Sequence, residues 1–259
     1  MKAPPILAIS SFAVHGTASL KTFITFLGEK ILPVPSIMLN GLTNMSLVKK
    51  FDTPFKELLQ ATMDLAVNRD LELILYIGYL GKAEQADVIL EMIEQYRDQI
   101  KTIITDPVCG DHGRKYVPDE VIARWPDVIR QSDMVFPNQT ELKILTGNGP
   151  DADGELENYI SDFETLFPQT KLIVTSIQTE SDVIGFKVTG SGPYLYTHPV
   201  LPRNYGGSGD AFLSLFILNH FYKNFSFNEA LKMAADQTFG MIKNSIEKGS
   251  DDLILETDQ

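Results

Sequence analysis

Short runs rich in Ile, Leu and Val recur along the chain at 6–10, 31–38, 73–77, 102–105, 134–136 and 172–175, and each has the length and composition of a β-strand. Between them the apolar positions change to a helical period. Leu20, Phe23, Ile24 and Leu27 recur at i, i+3, i+4, i+7, and Val88, Met92, Ile93 and Tyr96 continue a stripe that begins after Ala83. Strand and helix patterns in strict alternation predict βαβ units and an α/β fold with a mostly parallel sheet in three layers. The pattern then changes. Runs at 182–188 and 194–200, separated by a Gly-rich turn, predict a hairpin adding antiparallel strands at one edge. Two long helices are predicted at 211–222 and 227–246, and the acidic end at 251–259 is expected to be loosely held.

At 259 residues, with no linker, repeat or low-complexity tract, the pattern predicts one domain over 1–259 with a sizeable core. A net charge of −12 argues against a nucleic-acid or anionic-membrane surface, since such surfaces rely on Lys and Arg. Any phosphate ligand must then be held locally by backbone amides and metal. The single cysteine, Cys109, excludes an intrachain disulfide and suits a reducing compartment; no apolar run has the length of a membrane span or signal sequence. A cytoplasmic protein is expected.

In open α/β sheets ligands gather beyond the carboxyl ends of the strands, where this chain is polar. Ser10 and Ser11 follow the first strand, Asp106 to Asp111 the fourth, Asn138 to Glu141 the fifth, and Thr175 and Ser176 the sixth. Neither G-x-G-x-x-G after the first strand nor a Walker A sequence is present, which disfavours a Rossmann dehydrogenase and a P-loop enzyme. Gly206, Gly207, Ser208, Gly209 and Asp210 precede an apolar helix. Such a turn has amides free to converge on an anion and a carboxylate beside them, though Ser208 or Asp210 could equally serve as a plain N-cap. The helix dipole would hold Asp210 ionised, and an Asp of ordinary pKa would suffice as a base. Asn138 and Glu141 have the spacing of a capping box, and Asp106 and Asp111 that of a turn or of a carboxylate pair near a hard cation.

The joint order of these pieces resembles the ribokinase-like superfamily and, within it, the pyridoxal (vitamin B6) kinases. The pieces are Asp106, Pro107, Val108 with Gly110 and Asp111; Pro137, Asn138, Gln139 and Glu141; Val174, Thr175, Ser176; and Gly207, Ser208, Gly209, Asp210. The most specific are Gly78, Tyr79, Leu80, Gly81 with Ala83, Glu84, Gln85, the Asp106 segment, and Tyr116, Val117, Pro118. The resemblance implies a ribokinase-like α/β/α sandwich and ATP-dependent phosphorylation of the 5′-hydroxymethyl group of a B6 vitamer. It makes Asp210 the base and the amides of Gly207, Ser208 and Gly209 the anion hole. Asp106, Asp111 and Glu141 would order Mg²⁺ and a monovalent cation, K⁺ or Na⁺. Asn138, Glu141, Thr175, Ser176, Leu201, Arg203 and Ser208 would meet the nucleotide, and Ser11, Thr43, Tyr116 and Asp210 the vitamer. A homodimer is the family expectation.

The chain departs from that pattern at Ser208, where Thr is common, at Phe12, Val14 and His15, at Asn44 and Met45, and at Cys109. These leave vitamer preference open. His15 reads as a loop or pocket-wall residue, His112 and His198 as surface residues and Cys109 as a buried, inert thiol. Two stretches, 43–54 and 111–116, are expected to be mobile covers. The nearest rival function is hydroxymethylpyrimidine phosphorylation, disfavoured by the single Gly16 among residues 13–19 and by Asp210 standing where that branch often has Cys. A sugar kinase and a non-catalytic B6-binding protein stand behind it.

Overall fold

The computed structural model describes residues 3–42, 45–180, 183–189 and 194–256, which sort into two compact units, 1–53 with 200–259, and 54–199. The chain opens in the first unit with β1 (Ile6–Ala13), α1 (Leu20–Leu27), β2 (Ile31–Leu39) and β3 (Lys50–Asp52). It builds the second with α2 (Phe55–Asn68), β4 (Leu73–Ile77), α3 (Ala83–Gln95), β5 (Ile100–Thr105), β6 (Gly110–Asp111), β7 (Arg114–Lys115), α4 (Asp119–Ile122) and α5 (Trp125–Ile129). That unit continues through β8 (Met134–Val135), α6 (Gln139–Leu145), α7 (Leu156–Leu166), β9 (Lys171–Glu180), β10 (Val183–Val188) and β11 (Tyr194–Pro199). The chain then returns to the first unit with α8 (Ser208–Ile217), a π-helical turn (Leu218–Tyr222) and α9 (Phe227–Glu247).

In the first unit β1 and β2 pair in parallel from Ile6 opposite Ile31, with α1 as the crossover. Ile6, Leu7, Ala8 and Ile9 are all fully buried, which is why that run is continuous rather than alternating. Leu20, Phe23 and Leu27 of α1 are buried, but Ile24, predicted in the same stripe, is 37% exposed. The buried arc of α1 is shifted toward Thr22, which is fully buried, and away from Ile24. The stretch expected to be a mobile cover contains an edge strand, β3, antiparallel to β2 with Met38 opposite Phe51. Asn40 ties the approach to it, donating to the Leu47 carbonyl (3.2 Å) and accepting from the Lys49 amide (2.6 Å). The acidic end also differs from expectation. Leu253 is 2% exposed, and the Ile254 amide donates to Ser245 Oγ at 2.8 Å, so one buried Leu docks a tail whose composition reads as solvated.

In the second unit the strand order is β11-β10-β9-β8-β5-β4, parallel from β4 through β9 and antiparallel over β10 and β11. The predicted edge hairpin is therefore present, and β9 outruns its predicted end because its far half pairs with β10. All five residues of β4 are buried. On α3 the stripe includes Ile89, Met92, Ile93 and Tyr96, while Val88 is half-buried. Residues 111–116, expected to be a second mobile cover, hold the β6–β7 ladder, Asp111 opposite Arg114. Among the described residues no helix is long and apolar enough to cross a membrane.

Candidate active site

The N-terminus of α8 is set by Gly207, which occupies the left-handed region (φ 87°) as N-cap. A Cβ there would lie 2.0 Å from the Thr17 carbonyl oxygen, so conformation and close approach both require glycine. Neither Ser208 nor Asp210 is the N-cap, as the plain reading allowed; they are the first and third helical residues. The amides of Ser208, Gly209 and Asp210 thus belong to the first helical turn, where no carbonyl four residues earlier lies within the helix. Gly209 has nothing within 4 Å of a notional Cβ, while the Ser208 amide makes a long contact of 3.4 Å to the Tyr205 carbonyl.

Asp210 is half-buried, and its Oδ2 accepts the Ser19 amide at 2.8 Å. Burial pushes the carboxyl up to about 6, against the lowering effect of that amide. This corrects the expectation of an ordinary carboxylate held down by the dipole: desolvation wins. Ser11 is buried beside it, its hydroxyl donating to Ser19 Oγ at 2.8 Å. The structure so joins Ser11, Ser19 and Asp210. Ser19 carried no motif, and the only available sign was its place at the start of an apolar helical stripe.

A cavity of about 430 Å³ borders the same turn, with His15, Leu42, Met45, Arg203, Tyr205 and Gly206 in its wall. Arg203 lies over the Tyr205 ring (4.9 Å) and pairs with exposed Asp251 at 3.0 Å, while Leu201 is half-buried. His15 is exposed in that wall, 4.0 Å from Asp252. Thr43 and Asn44 lie outside the described residues.

In the second unit Asn138 and Glu141 form the predicted capping box. The Glu141 amide donates to Asn138 Oδ1, and the Asn138 amide to Glu141 Oε2, each at 2.9 Å. The box does more than cap. Glu141 Oε1 accepts the Cys109 amide (3.0 Å), and the Asn138 side chain donates to the Gly110 carbonyl (2.8 Å), so the 106–111 loop is bound to the start of α6. Glu141 is 3% exposed, and its carboxyl is held well above the usual range by burial and by the Asp106 charge, despite its backbone donors. Asp106 is anchored by its amide to the Ile77 carbonyl at 2.8 Å. Asp106 and the deeply buried Glu141 are carboxylates of one loop and helix start, a donor type that suits a hard cation; with both oxygens already accepting amides, Glu141 suits contact through water.

Asp111 stands apart from that pair, half-exposed, accepting the His112 amide at 2.8 Å. Among the described residues no three His, Cys, Asp or Glu side chains converge as a complete metal cage. Thr175 bridges in parallel to Asn138 and donates to the Pro137 carbonyl (2.9 Å from its amide), which keeps it beside the box; Ser176 follows in the left-handed region (φ 54°). Tyr116 is 51% exposed, its amide on the Cys109 carbonyl. Cys109 is fully buried, and burial with the nearby carboxylates raises its thiol far above the ordinary value, as expected of an inert thiol. His112 is exposed and His198 half-buried.

Known proteins share this fold and family. The model of the phosphomethylpyrimidine kinase family matches residues 18–255. A pyridoxal kinase from Dictyostelium discoideum is 27% identical over 197 residues, covering 73% of this chain and 65% of its own length. One from Rubrobacter xylanophilus is 28% identical over 187 residues, covering 69% of this chain and 64% of its own. The match spans from 50% to 83% of the length of the curated relatives, and less than two thirds of most of them. Among solved structures, pyridoxal kinase from Entamoeba histolytica superposes with a TM-score of 0.84 at 20% identity, over 98% of this chain and 92% of that one. Pyridoxal kinase from Leishmania donovani in complex with ADP and pyridoxamine gives 0.81 at 20% identity, over 95% and 88%. The fold is that of these kinases, a ribokinase-like α/β architecture, and the chain belongs to the phosphomethylpyrimidine kinase family.

Proposed function

We propose that this protein transfers the γ-phosphoryl group of ATP to the 5′-hydroxymethyl oxygen of pyridoxal, pyridoxine or pyridoxamine. The observation that carries the reading is Asp210, a carboxylate of raised basicity in the first turn of α8, directly behind Gly207, Ser208 and Gly209. Asp210 takes the proton of the alcohol as the new O–P bond forms and the bond to the ADP oxygen breaks. The amides of Gly207, Ser208 and Gly209 hold the negative charge on the moving group, where fixed dipoles act without reorganising. Asn138, Glu141, Thr175, Ser176, Leu201, Arg203 and Ser208 bind the nucleotide; Ser11, Thr43 and Tyr116 hold the vitamer. Asp106, Asp111 and Glu141 hold Mg²⁺ and a monovalent cation, partly through water, which when bound neutralise the triphosphate. The relatives' names and the ADP and pyridoxamine of the Leishmania complex support this assignment. We also infer one kinase domain over 1–259, a homodimer and a cytoplasmic location, the last in keeping with a single free thiol.

A second reading is phosphorylation of a hydroxymethylpyrimidine, favoured by the name of the matching family. The test is ATP/Mg²⁺ transfer to the three B6 vitamers, hydroxymethylpyrimidine and ribose in parallel, with product mass measured. Transfer to a vitamer, lost in Asp210→Asn, is the expected result. Transfer only to the pyrimidine selects the second reading, and vitamer binding without transfer makes the chain a binding protein.

A further inference from the structure

Ser19 immediately precedes α1, yet its side chain makes no cap hydrogen bond. Its backbone lies at φ 52°, ψ −137°, a region costly for any residue with a Cβ. Its carbonyl is fixed from below by the Thr22 and Phe23 amides at 3.0 and 3.3 Å. Its hydroxyl accepts from buried Ser11 at 2.8 Å, and its amide donates to Asp210 Oδ2 at 2.8 Å. Two residues before it, the Thr17 carbonyl sits against Gly207 so closely that no Cβ could intervene. The loop after β1 is therefore interlocked with the Gly-rich turn at both Gly207 and Asp210. A relaxed Ser19 would aim its amide elsewhere, because φ sets the direction of N–H relative to the anchored carbonyl.

From this geometry we propose that Ser19 is a positioning residue: its strained backbone delivers an amide that clamps Asp210 Oδ2 and leaves Oδ1 to meet the substrate hydroxyl. The inference rests on Asp210 being the base. The clamp also favours the ionised carboxylate, opposing burial. Charged groups on the helices packed against α8 are engaged elsewhere. Lys21 of α1 donates to the Val14 carbonyl; on α9, Lys232 pairs with Asp236 and Lys243 with Glu247. At the neighbouring loops His15 faces Asp252.

The direct test replaces the Ser19 amide by an ester, incorporating the α-hydroxy analogue of serine at that position in the full chain. This deletes the donor and keeps the side chain. The pH profile of vitamer phosphorylation should move up by about one pH unit, with kcat at pH 7 reduced by about 10- to 100-fold and KM for ATP little changed. Ser19→Gly keeps the donor and relieves the strained φ; it should raise Tm and leave the midpoint of the pH profile where it is. An ester protein that folds but keeps the wild-type profile, or a Gly variant whose profile moves as far as that of the ester, overturns the proposal. Asp210→Asn is assayed alongside. Turnover surviving in that variant would refute Asp210 as base, whereas a dead Asp210→Asn with an unmoved ester profile would refute the role of Ser19 alone.

Discussion

Asp210→Asn should make the protein more stable at neutral pH while removing phosphoryl transfer. The carboxyl is raised from 3.8 to about 6 by burial, so the folded state holds the proton more tightly than the unfolded chain does. Ionising Asp210 then works against folding. The cost is absent below about pH 4, grows between 4 and 6 and is complete above 6, where a rise of this size amounts to about 3 kcal/mol. Asparagine has the same shape, presents an oxygen to the Ser19 amide and carries no charge to desolvate. The variant should therefore gain about 2–3 kcal/mol at pH 7.5, or about 5–10 °C in Tm for a chain of this size. At pH 4 the gain should vanish. The assay is urea or thermal unfolding of both proteins at the two pH values, and the difference between them cancels every other carboxylate. An equal gain at both pH values, or none at pH 7.5, would refute the argument that burial sets the chemistry of this group.

The two glycines of the turn should behave in opposite ways. Gly207→Ala forces a Cβ onto the Thr17 carbonyl from a left-handed φ and should cost about 3 kcal/mol or more of stability. Gly209→Ala, in open space within a helix, should stabilise by about 0.5–1 kcal/mol; loss of transfer in that more stable variant would show that an anion approaches there, and full activity would remove Gly209 from the anion hole. Glu141→Gln leaves a buried amide facing an NH₂ group, which costs stability at every pH, but also removes a charge that burial disfavours, so its stability relative to wild type should improve between about pH 4 and about pH 7.5 in urea melts, and the transfer assay should show a higher Mg²⁺ requirement. Leu253→Ala should cost about 2–4 kcal/mol, since Leu253 docks the C-terminal segment; a loss within 0.5 kcal/mol, a roughly neutral surface value, would show that segment to be loose.

The parallel strands were legible because runs such as 73–77 are buried along their whole length and so carry only apolar residues. The hairpin was legible from two β-rich runs flanking a Gly-rich stretch, of which residues 190–193 lie outside the described ones. Less visible were elements fixed by partners distant in sequence. β3 has three exposed residues and owes its existence to pairing with β2, not to its own composition. The docked end at 251–256 depends on one Leu in an acidic context, where charge outweighs the signal of a single anchor. Ser19 was hidden for a related reason. Its contribution is a backbone amide aimed by an unusual φ, and a backbone donor leaves no residue-type signature.

The segment at 138–141 shows why the plain and the chemical reading of a motif need not compete. As a capping box it predicts two reciprocal hydrogen bonds, and both are present. A surface cap would end the argument there. Here the capping Glu is buried, receives a further amide from Cys109 and faces the charge of Asp106, so the bonds that close the helix also hold a carboxylate where its ionisation is costly. A cation would favour the charged form of both carboxylates. The same hydrogen bonds serve both purposes, because an N-cap fixes the side chain in space and burial gives the fixed charge its strength. The cap and the proposed cation site are thus one arrangement, and Glu141→Gln perturbs both at once, reading out in stability and in Mg²⁺ requirement.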